Sequence, residues 1–174
     1  EGLVAKTPRP YRLIYTDGQT PEWLWQCLEQ RSAEWGLELV RHDEPLWPQE
    51  LRNRVLDSIT TDYVVFIDND VQVSPGWLDR LVACADETNA GIVGPLYLWG
   101  DGQNKPKIHT YTGTLTYINT PQGTVMTEIH DLMNTDPEAV ASQLVRKPCD
   151  FVEFHCMLLR TGVLKKMGGL NPNI

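Results

Sequence analysis

Two carboxylates stand one residue apart at the point where an apolar strand is expected to end. The run at residues 63–67 is apolar throughout, and Asp68, Asn69 and Asp70 follow it. Residues i and i+2 of an extended chain point to the same side, so the two carboxylates would converge. Two such charges about 4 Å apart repel by about 1 kcal/mol in water and by more near a protein interior. A divalent cation removes that repulsion, and carboxylate oxygens favour hard ions such as Mg²⁺ or Mn²⁺.

Such a cation site implies a phosphorylated ligand, because Mg²⁺ typically combines one or two carboxylates with phosphate oxygens. Two other interpretations stay open. The aspartates can form an Asx turn that leads into Ser74 and Pro75. Alternatively, Asp68 can be the nucleophile of a phosphohydrolase that carries the same Asp-x-Asp pattern after an apolar strand. A calcium EF-hand loop is excluded, since Gln72 and Val73 occupy positions that require Asp or Asn and then Gly.

The elements that must position this pair alternate between strands and helices along the first hundred residues. Hydrophobic periodicity predicts strands at residues 11–17, 37–42, 63–67 and 90–98, with helices at residues 21–35, between 47 and 58, and from 75 onward. Thr20 is the expected N-cap of the first helix, whose apolar face would carry Trp23, Leu24, Cys27 and Leu28. The alternation predicts an α/β fold with a mostly parallel central sheet flanked by helices. Ligands bind beyond the carboxyl ends of strands in such sheets, which is where Asp68 and Asp70 would lie.

The second half of the chain follows a different pattern. Residues 108–119 and 123–130 are rich in Thr, Tyr and Val and predict an antiparallel β-hairpin. A short helix capped by Asp136, a long strand over residues 150–160 and a final helix that ends at Gly168 and Gly169 follow. Without repeats or linkers, the chain is predicted to be one domain.

Composition narrows the classes of function. The net charge of −8 and the isoelectric point near 4.9 argue against a nucleic-acid partner, which requires a basic surface. The four cysteines show no zinc-binding spacing and indicate free thiols in a reducing compartment, so a cytoplasmic location is expected. No apolar run approaches the ~20 residues that span a bilayer, and no transmembrane segment is predicted.

Other polar and aromatic residues are weaker candidates for the site. Glu153 and His155 lie two residues apart and would share one strand face, either as a structural ion pair or as a functional group. Glu153 would then act near an acceptor as a base or orienting group, and His155 as a third metal ligand. His109 is expected to be a structural polar residue. Trp99 is expected to pack at a loop edge, with stacking on a sugar or base as the alternative.

The segment from Leu51 to Val82 resembles the core of glycosyltransferase family 2, which has the GT-A fold. The family's pattern is an Arg-Asn pair on a helix, an apolar strand, an Asp-x-Asp motif and a Pro-Trp-Leu helix start, matched here at residues 52–53, 63–67, 68–70 and 75–78. Residues 150–171 resemble its acceptor-side segment, including the Gly-Gly pair. The resemblance implies a GT-A (Rossmann-like) fold and an inverting, metal-dependent glycosyltransferase of the hexosyltransferase type. Its donor would be a UDP- or GDP-sugar, and its acceptor a glycan or other hydroxyl compound.

Residue by residue, the resemblance assigns roles on the matching positions. Nucleotide-sugar binding falls to Asp17, Arg52, Asn53, Asp68 and Asn69. The Mn²⁺ or Mg²⁺ cofactor falls to Asp70 and Asp68, with His155 as a further ligand, and the catalytic role to Glu153. The loop at residues 99–107 would set the identity of the sugar and acceptor.

The chain also departs from the family pattern. Nothing before Tyr11 resembles the family's opening strand, and residues 170–172 replace its Phe-Asp-Glu. We therefore expect one GT-A-like domain over residues 1–174 that is truncated at both ends, with a nucleotide-binding part at about 11–100 and an acceptor-side part at about 101–174. Activity could then be weak, so a non-catalytic nucleotide-sugar or glycan-binding domain of the same fold is the first alternative. The phosphohydrolase is the second.

Overall fold

A computed structural model of the chain describes residues 2–8, 10–100 and 105–172. Its five α-helices are α1 (Gly2–Lys6), α2 (Glu22–Trp35), α3 (Pro48–Arg54), α4 (Trp77–Thr88) and α5 (Thr161–Met167). Its nine strands are β1 (Leu13–Asp17), β2 (Leu37–Arg41), β3 (Tyr63–Ile67), β4 (Ile92–Val93), β5 (Tyr97–Trp99), β6 (Lys107–Thr110), β7 (Gly113–Thr120), β8 (Gly123–His130) and β9 (Cys156–Arg160). Short 3₁₀ helices lie at Leu56–Ser58 and Ala141–Gln143. No helix within these ranges is both long and apolar enough to cross a bilayer.

The strands form small sheets, and the prediction of a mostly parallel central sheet is wrong. β1 and β2 pair in parallel, which is the only parallel pair in the described part of the chain. β9 lies between β3 and β4 and runs antiparallel to both. The late strand therefore takes the place beside β3 that a parallel neighbour would occupy, and the alternation of the first hundred residues could not reveal this. The fold is nonetheless a mixed α/β fold.

A gap separates the two sheets that carry the first three strands. β1 and β3 each pair on one side, and a cavity of about 590 Å³ lies between them. Residues of both strands line the cavity, and Arg52 reaches it from α3. The predicted continuous sheet is therefore divided between β1 and β3.

The core is centred on β9, where Cys156, Met157, Leu158 and Leu159 are all buried. Leu81 and Ala85 of α4 pack with Leu158 on one side of the sheet. Leu164 of α5 packs with Phe66 and Leu159 on the other. Burial of this kind contributes about 25 cal/mol for each Å² of apolar surface, so β9 anchors the elements that position the site.

The first long helix differs from its prediction at its start and on its buried face. α2 begins at Glu22, and Pro21 rather than Thr20 occupies the cap position, without a side-chain cap bond. Trp25 is its buried residue, whereas Trp23 and Cys27 are exposed. Leu24 and Leu28 are half-buried as predicted, so the buried face is rotated toward Trp25, over whose ring Arg41 lies at 4.8 Å. The predicted stop is confirmed, since Gly36 adopts a left-handed conformation at φ 58°.

The structure confirms one further predicted element and shortens or divides two others. The hairpin prediction is confirmed by the pairing of β7 with β8. The strand predicted over residues 90–98 is divided into β4 and β5 at Gly94 and Pro95, since proline has no amide hydrogen for a strand ladder. The helix predicted from Asp136 to Leu144 reduces to a 3₁₀ turn, because the Asp136 side chain accepts a bond from the Glu138 amide and favours a turn.

Candidate functional site

Asp68 lies directly after the carboxyl end of β3, as the sequence predicts. Arg52 Nη2 donates to its Oδ1 at 2.7 Å, and His155 Nδ1 lies 3.2 Å from its Oδ2. The Asp68 amide also donates to the His155 carbonyl at 2.9 Å, because β3 and β9 pair antiparallel at this end. Both carboxylate oxygens are thus occupied by side chains from other elements. An Asx turn does not explain the side chain of Asp68.

Arg52 is held in place by aromatic rings as well as by Asp68. Its guanidinium lies 5.5 Å from the Phe66 ring centre and 5.2 Å from that of Phe154, and its side chain is 11% exposed. Burial lowers the pKa of Arg52 from its ordinary value, while Asp68 acts in the opposite direction. Arginine stays protonated in proteins, so this corner of the site carries a positive charge beside a carboxylate.

Asn69 and Asp70 occupy an exposed turn rather than a continuation of β3. The Val71 amide donates to the Asp68 carbonyl at 3.3 Å, which reverses the chain. Side-chain alternation of period two therefore does not extend beyond Ile67, and the expected convergence of Asp68 and Asp70 has no basis in an extended strand. Asp70 faces solvent at the tip of the turn.

Glu153 lies at the centre of a second group of polar side chains. Its Oε1 is 3.3 Å from His130 Nδ1 and 3.8 Å from His109 Nε2, and the Thr110 hydroxyl donates to it at 3.4 Å. The Thr110 hydroxyl is also 2.7 Å from His130 Nδ1. Glu153 is 21% exposed at the side chain. A carboxylate with these neighbours is oriented by the protein before any ligand arrives.

The backbone around Glu153 is fixed by two aromatic side chains. The Tyr97 hydroxyl contacts the carbonyl oxygens of Glu153 and Cys156 at 2.9 and 2.6 Å, and burial raises the pKa of that hydroxyl. Phe151 bridges to Gly113 of β7, and its ring stacks edgewise on His130 at 5.2 Å. The strand predicted to include Glu153 begins only at Cys156, because the chain turns at residues 154–155. The turn brings Glu153 beside β6 and β8.

Cys156 borders the site without being able to act as a nucleophile in it. The residue is 2% exposed, and burial, with a smaller contribution from the charge of Asp68, raises its pKa to about 12. The thiolate is the reactive form of cysteine, so this side chain stays inert at neutral pH.

Asp17 and Asn53 already have partners inside the protein. Asp17 is 3% exposed, accepts a bond from the Thr20 amide at 2.9 Å and lies 3.4 Å from Arg41. The Asn53 side chain donates to the Leu170 carbonyl at 2.7 Å and accepts from the Leu170 amide at 2.8 Å. Both residues thus support local structure as the protein stands. Their assignment to nucleotide binding remains a proposal.

The second group contains residues that the sequence did not single out, namely His130, Thr110 and Tyr97. They lie on β8, β6 and β5, and no spacing in the sequence relates these strands to Glu153. The pairing of β7 with β8 was predictable, but the bridge from Gly113 to Phe151 was not. Trp99, which was expected to pack at a loop edge, lies at the end of β5 and is 54% exposed. Residues 101–104 of the loop expected to set specificity lie outside the described residues.

Two groups of side chains in the described part of the chain bear on cation binding. One is the pair Asp68 and Asp70, which offers carboxylates, although both Asp68 oxygens already contact Arg52 or His155 and Asp70 is exposed on the turn. The other is the group formed by His109, Glu153 and His155, where one donor atom from each residue lies within 4.8 Å of the others. His155 borders both places, since its Nδ1 contacts Asp68.

Comparison with known proteins identifies the family of the chain. The chain matches the model of glycosyl transferase family 2 over residues 1–168. It is 33% identical over 64 residues to the pre-mycofactocin glycosyltransferases of two Mycobacterium tuberculosis strains, CDC 1551 / Oshkosh and ATCC 25618 / H37Rv. These 64 residues are 37% of this chain and 14% of each relative, so the chain spans a small part of those proteins.

A solved structure shows a similar fold. The crystal structure of S. aureus TarS 1-349 in complex with UDP superposes with a TM-score of 0.60 at 16% identity, over 98% of this chain and 44% of that one. The likeness supports a mixed α/β fold similar to that of a GT-A glycosyltransferase. The family model covers nearly the whole chain, and the resemblance that the sequence predicted is confirmed. The protein belongs to glycosyl transferase family 2.

Proposed function

We propose that this domain transfers a sugar from a nucleotide-sugar donor to a hydroxyl acceptor at the site formed by Asp68, Arg52, His155 and Glu153. Family membership supports sugar transfer in general. The observation that carries the proposal is that two carboxylates border the same histidine: His155 contacts Asp68, which directly follows β3, and lies in one group with Glu153. We assign the Asp68 side to the donor phosphates and Glu153 to the acceptor hydroxyl.

The donor side would consist of Asp68, Asp70 and the positive charge of Arg52. The similar TarS structure contains UDP, which favours a uridine nucleotide as the first donor to test. Carboxylate oxygens are the ligands that a hard divalent cation prefers, and both Asp70, which is exposed, and Asp68, which is 34% exposed, can be reached by one, although an ion at Asp68 would have to share its oxygens with Arg52 and His155. A bound Mn²⁺ or Mg²⁺ would neutralise charge on the departing nucleoside diphosphate. Asp17 and Asn69 complete the proposed nucleotide contacts.

The acceptor side would consist of Glu153. The carboxylate takes the proton of the acceptor hydroxyl while that oxygen bonds to the anomeric carbon of the sugar. The bond from the anomeric carbon to the phosphate oxygen breaks, and the nucleoside diphosphate leaves with the electron pair. A single displacement of this kind inverts the anomeric configuration. His130 and Thr110 hold the Glu153 oxygen in place during the transfer.

Calorimetric titration of UDP and GDP, each with and without Mn²⁺, tests the donor side. We expect binding of one nucleotide to depend on Mn²⁺ and to be lost in Asp70→Ala. The matched control is Asp57→Ala, which removes an exposed aspartate from the 3₁₀ helix before β3. Unchanged nucleotide affinity in Asp70→Ala would overturn the assignment of this residue.

Measurement of UDP release from UDP-sugars in the presence of glycan acceptors tests the acceptor side. Glu153→Gln should abolish transfer and leave nucleotide affinity unchanged, since the amide cannot accept the proton. Donor binding without transfer in the unmodified chain would favour the non-catalytic alternative. Release of inorganic phosphate that depends on Asp68 would instead favour the phosphohydrolase.

A further inference from the structure

The group formed by His109, Glu153 and His155 differs in chemistry from the carboxylates of the Asp68 turn. It offers two imidazole nitrogens and one carboxylate oxygen, and the three donor atoms lie within 4.8 Å of one another. Imidazole favours transition metals such as Zn²⁺, whereas Mg²⁺ and Ca²⁺ favour oxygen ligands alone. We propose that His109, Glu153 and His155 form a separate site for a transition-metal ion, with Zn²⁺ as the preferred occupant.

The three residues come from two segments that are held independently. His109 lies on β6, which pairs with β5. Glu153 and His155 lie in the turn before β9, which the Tyr97 hydroxyl fixes through two carbonyl oxygens. The spacing is close to that of a metal site: Glu153 Oε1 and His109 Nε2 are 3.8 Å apart, and two ligands of a tetrahedral zinc with bonds of ~2.1 Å are ~3.4 Å apart. All three donor atoms lie within 4.8 Å of one another, so an ion would draw the three side chains closer together.

The residues behind the ligands provide the independent support for a metal. Histidines that bind a metal usually contact a carboxylate through the other ring nitrogen, which fixes the ring and increases its basicity. His155 fits this pattern, because its Nδ1 lies 3.2 Å from Asp68 Oδ2, and Nε2 is then the ring nitrogen that would bind the ion. The Glu153 carboxylate is held through Oε1, which contacts His130 and the Thr110 hydroxyl.

An ion at this site would compete with the role of Glu153 as a base. A carboxylate bound to Zn²⁺ cannot accept the proton of an acceptor hydroxyl, so occupancy would inhibit sugar transfer. This inhibition rests on the proposed function, whereas the binding of the metal does not. The site would then act as an inhibitory switch beside the donor site, and the two would differ in their preferred ions.

Titration of the chelator-treated chain with Co²⁺, in the absence of nucleotide, tests the binding directly. Co²⁺ reports nitrogen ligands through its visible absorption and is displaced by Zn²⁺. We expect one equivalent of Co²⁺ to produce this absorption and Zn²⁺ to remove it. His109→Gln should weaken binding at least tenfold, and His130→Gln should weaken it by about 10-fold to 100-fold through loss of orientation. The matched control is His42→Gln, which changes the one histidine that neither belongs to the group nor contacts Glu153.

Asp70→Ala separates this site from the donor site. The variant should retain Co²⁺ binding while it loses nucleotide binding that depends on Mn²⁺. Equal Co²⁺ affinity in His109→Gln and the unmodified chain would overturn the proposal, and so would loss of Co²⁺ binding in Asp70→Ala. Failure of the nucleotide titration with intact Co²⁺ binding would refute the proposed function and leave the metal site standing.

A measurement on the unmodified chain covers the case in which a histidine variant does not fold. Diethyl pyrocarbonate modifies accessible imidazoles, and mass spectrometry maps the modified residues. We expect Zn²⁺ to protect His109 and His155 and Mg²⁺ to protect neither. Equal modification with and without Zn²⁺ would overturn the site.

Discussion

Single side chains fix the borders of the candidate site more than regular secondary structure does. Arg52, Asn53 and Tyr97 each join segments that are distant in the sequence through bonds to a carboxylate or to backbone carbonyls. Arg52 and Asn53 are adjacent on α3, yet one contacts the Asp68 turn and the other contacts Leu170. α3 therefore ties the donor side of the site to the segment that follows α5.

Asn53 gives a prediction at this scale. Asn53→Ala removes two hydrogen bonds to Leu170 and leaves a partly buried carbonyl and amide without their partner. Each such bond contributes about 0.5–1.5 kcal/mol, so the free energy of unfolding should fall by about 1–3 kcal/mol in urea denaturation. Asn119→Ala, on the exposed face of β7, is the control and should change stability by less than about 0.5 kcal/mol. Equal stability of the two variants would show that the contacts with Leu170 are energetically neutral.

Some residues of the candidate site could be predicted from the sequence, and others could not. Asp68 was predicted at the end of β3, since a short apolar run followed by carboxylates has a local signature. Glu153 and His155 were candidates because they were expected to share one strand face, but both precede β9, so that expectation was wrong. His130 and Thr110 could not be identified, because their role depends on the bridge between Gly113 and Phe151. That contact joins segments 38 residues apart in the sequence and has no local signal.

At the scale of elements, the position of Glu153 depends on how the β7–β8 hairpin meets the segment before β9. A Cβ atom on Gly113 would lie 2.1 Å from Cε1 of the Phe151 ring, so only glycine permits this approach. Phe151 in turn packs on His130 and leads directly to Glu153. The contact between glycine and phenylalanine therefore sets the distance between the hairpin and the site.

Gly113→Ala tests this dependence. The added methyl group must displace the Phe151 ring or the hairpin, and the free energy of unfolding should fall by about 1–3 kcal/mol. Gly162→Ala is the matched control, because a Cβ atom there meets nothing within 4 Å, and the change should stabilise α5 by about 0.4–1 kcal/mol.

A second variant identifies the clash itself. Combining Gly113→Ala with Phe151→Leu removes part of the ring, so the double variant should be more stable than the sum of the single effects predicts. If the effects of the two substitutions on the free energy of unfolding are simply additive, the cost of Gly113→Ala does not come from a clash with the Phe151 ring.

Elements also show why the predicted sheet differed from the observed one. The strands themselves were mostly located correctly, and β3 has the predicted bounds. Their arrangement was inferred from the rule that alternating strands and helices give a parallel sheet. The insertion of β9 next to β3 depends on the apolar surface that both strands share in the core, and this pairing has no counterpart in local periodicity.

The whole molecule has an uneven distribution of buried contacts. β9 is buried along most of its length, whereas most residues of β8 are exposed and the hairpin is a two-stranded sheet of its own. Isolated two-stranded hairpins are marginally stable in water. The tip of the β7–β8 hairpin should therefore open far more often than the β3–β9 pair.

Hydrogen exchange followed by mass spectrometry measures this difference. Peptides from residues 117–126 should exchange before peptides from residues 156–160, since exchange of the latter requires opening of the core. Simultaneous exchange of both regions would indicate that the molecule unfolds as one cooperative unit. A ligand or metal at Glu153 should slow exchange at the base of the hairpin and not at its tip.

The gap between β1 and β3 has a consequence for ligand affinity. Asp17 ends one sheet and Asp68 follows a strand of another, and no strand ladder joins these sheets in the described part of the chain. Contacts such as the 2.6 Å hydrogen bond from Arg12 Nη1 to the Ser58 carbonyl link the part of the chain around β1 to the part around β3 instead. In the proposed function a nucleotide would contact both aspartates, so its binding would depend on how the two sheets are held relative to each other. Residues that stiffen the junction can therefore tune binding from a distance, with Arg12 as the first of them.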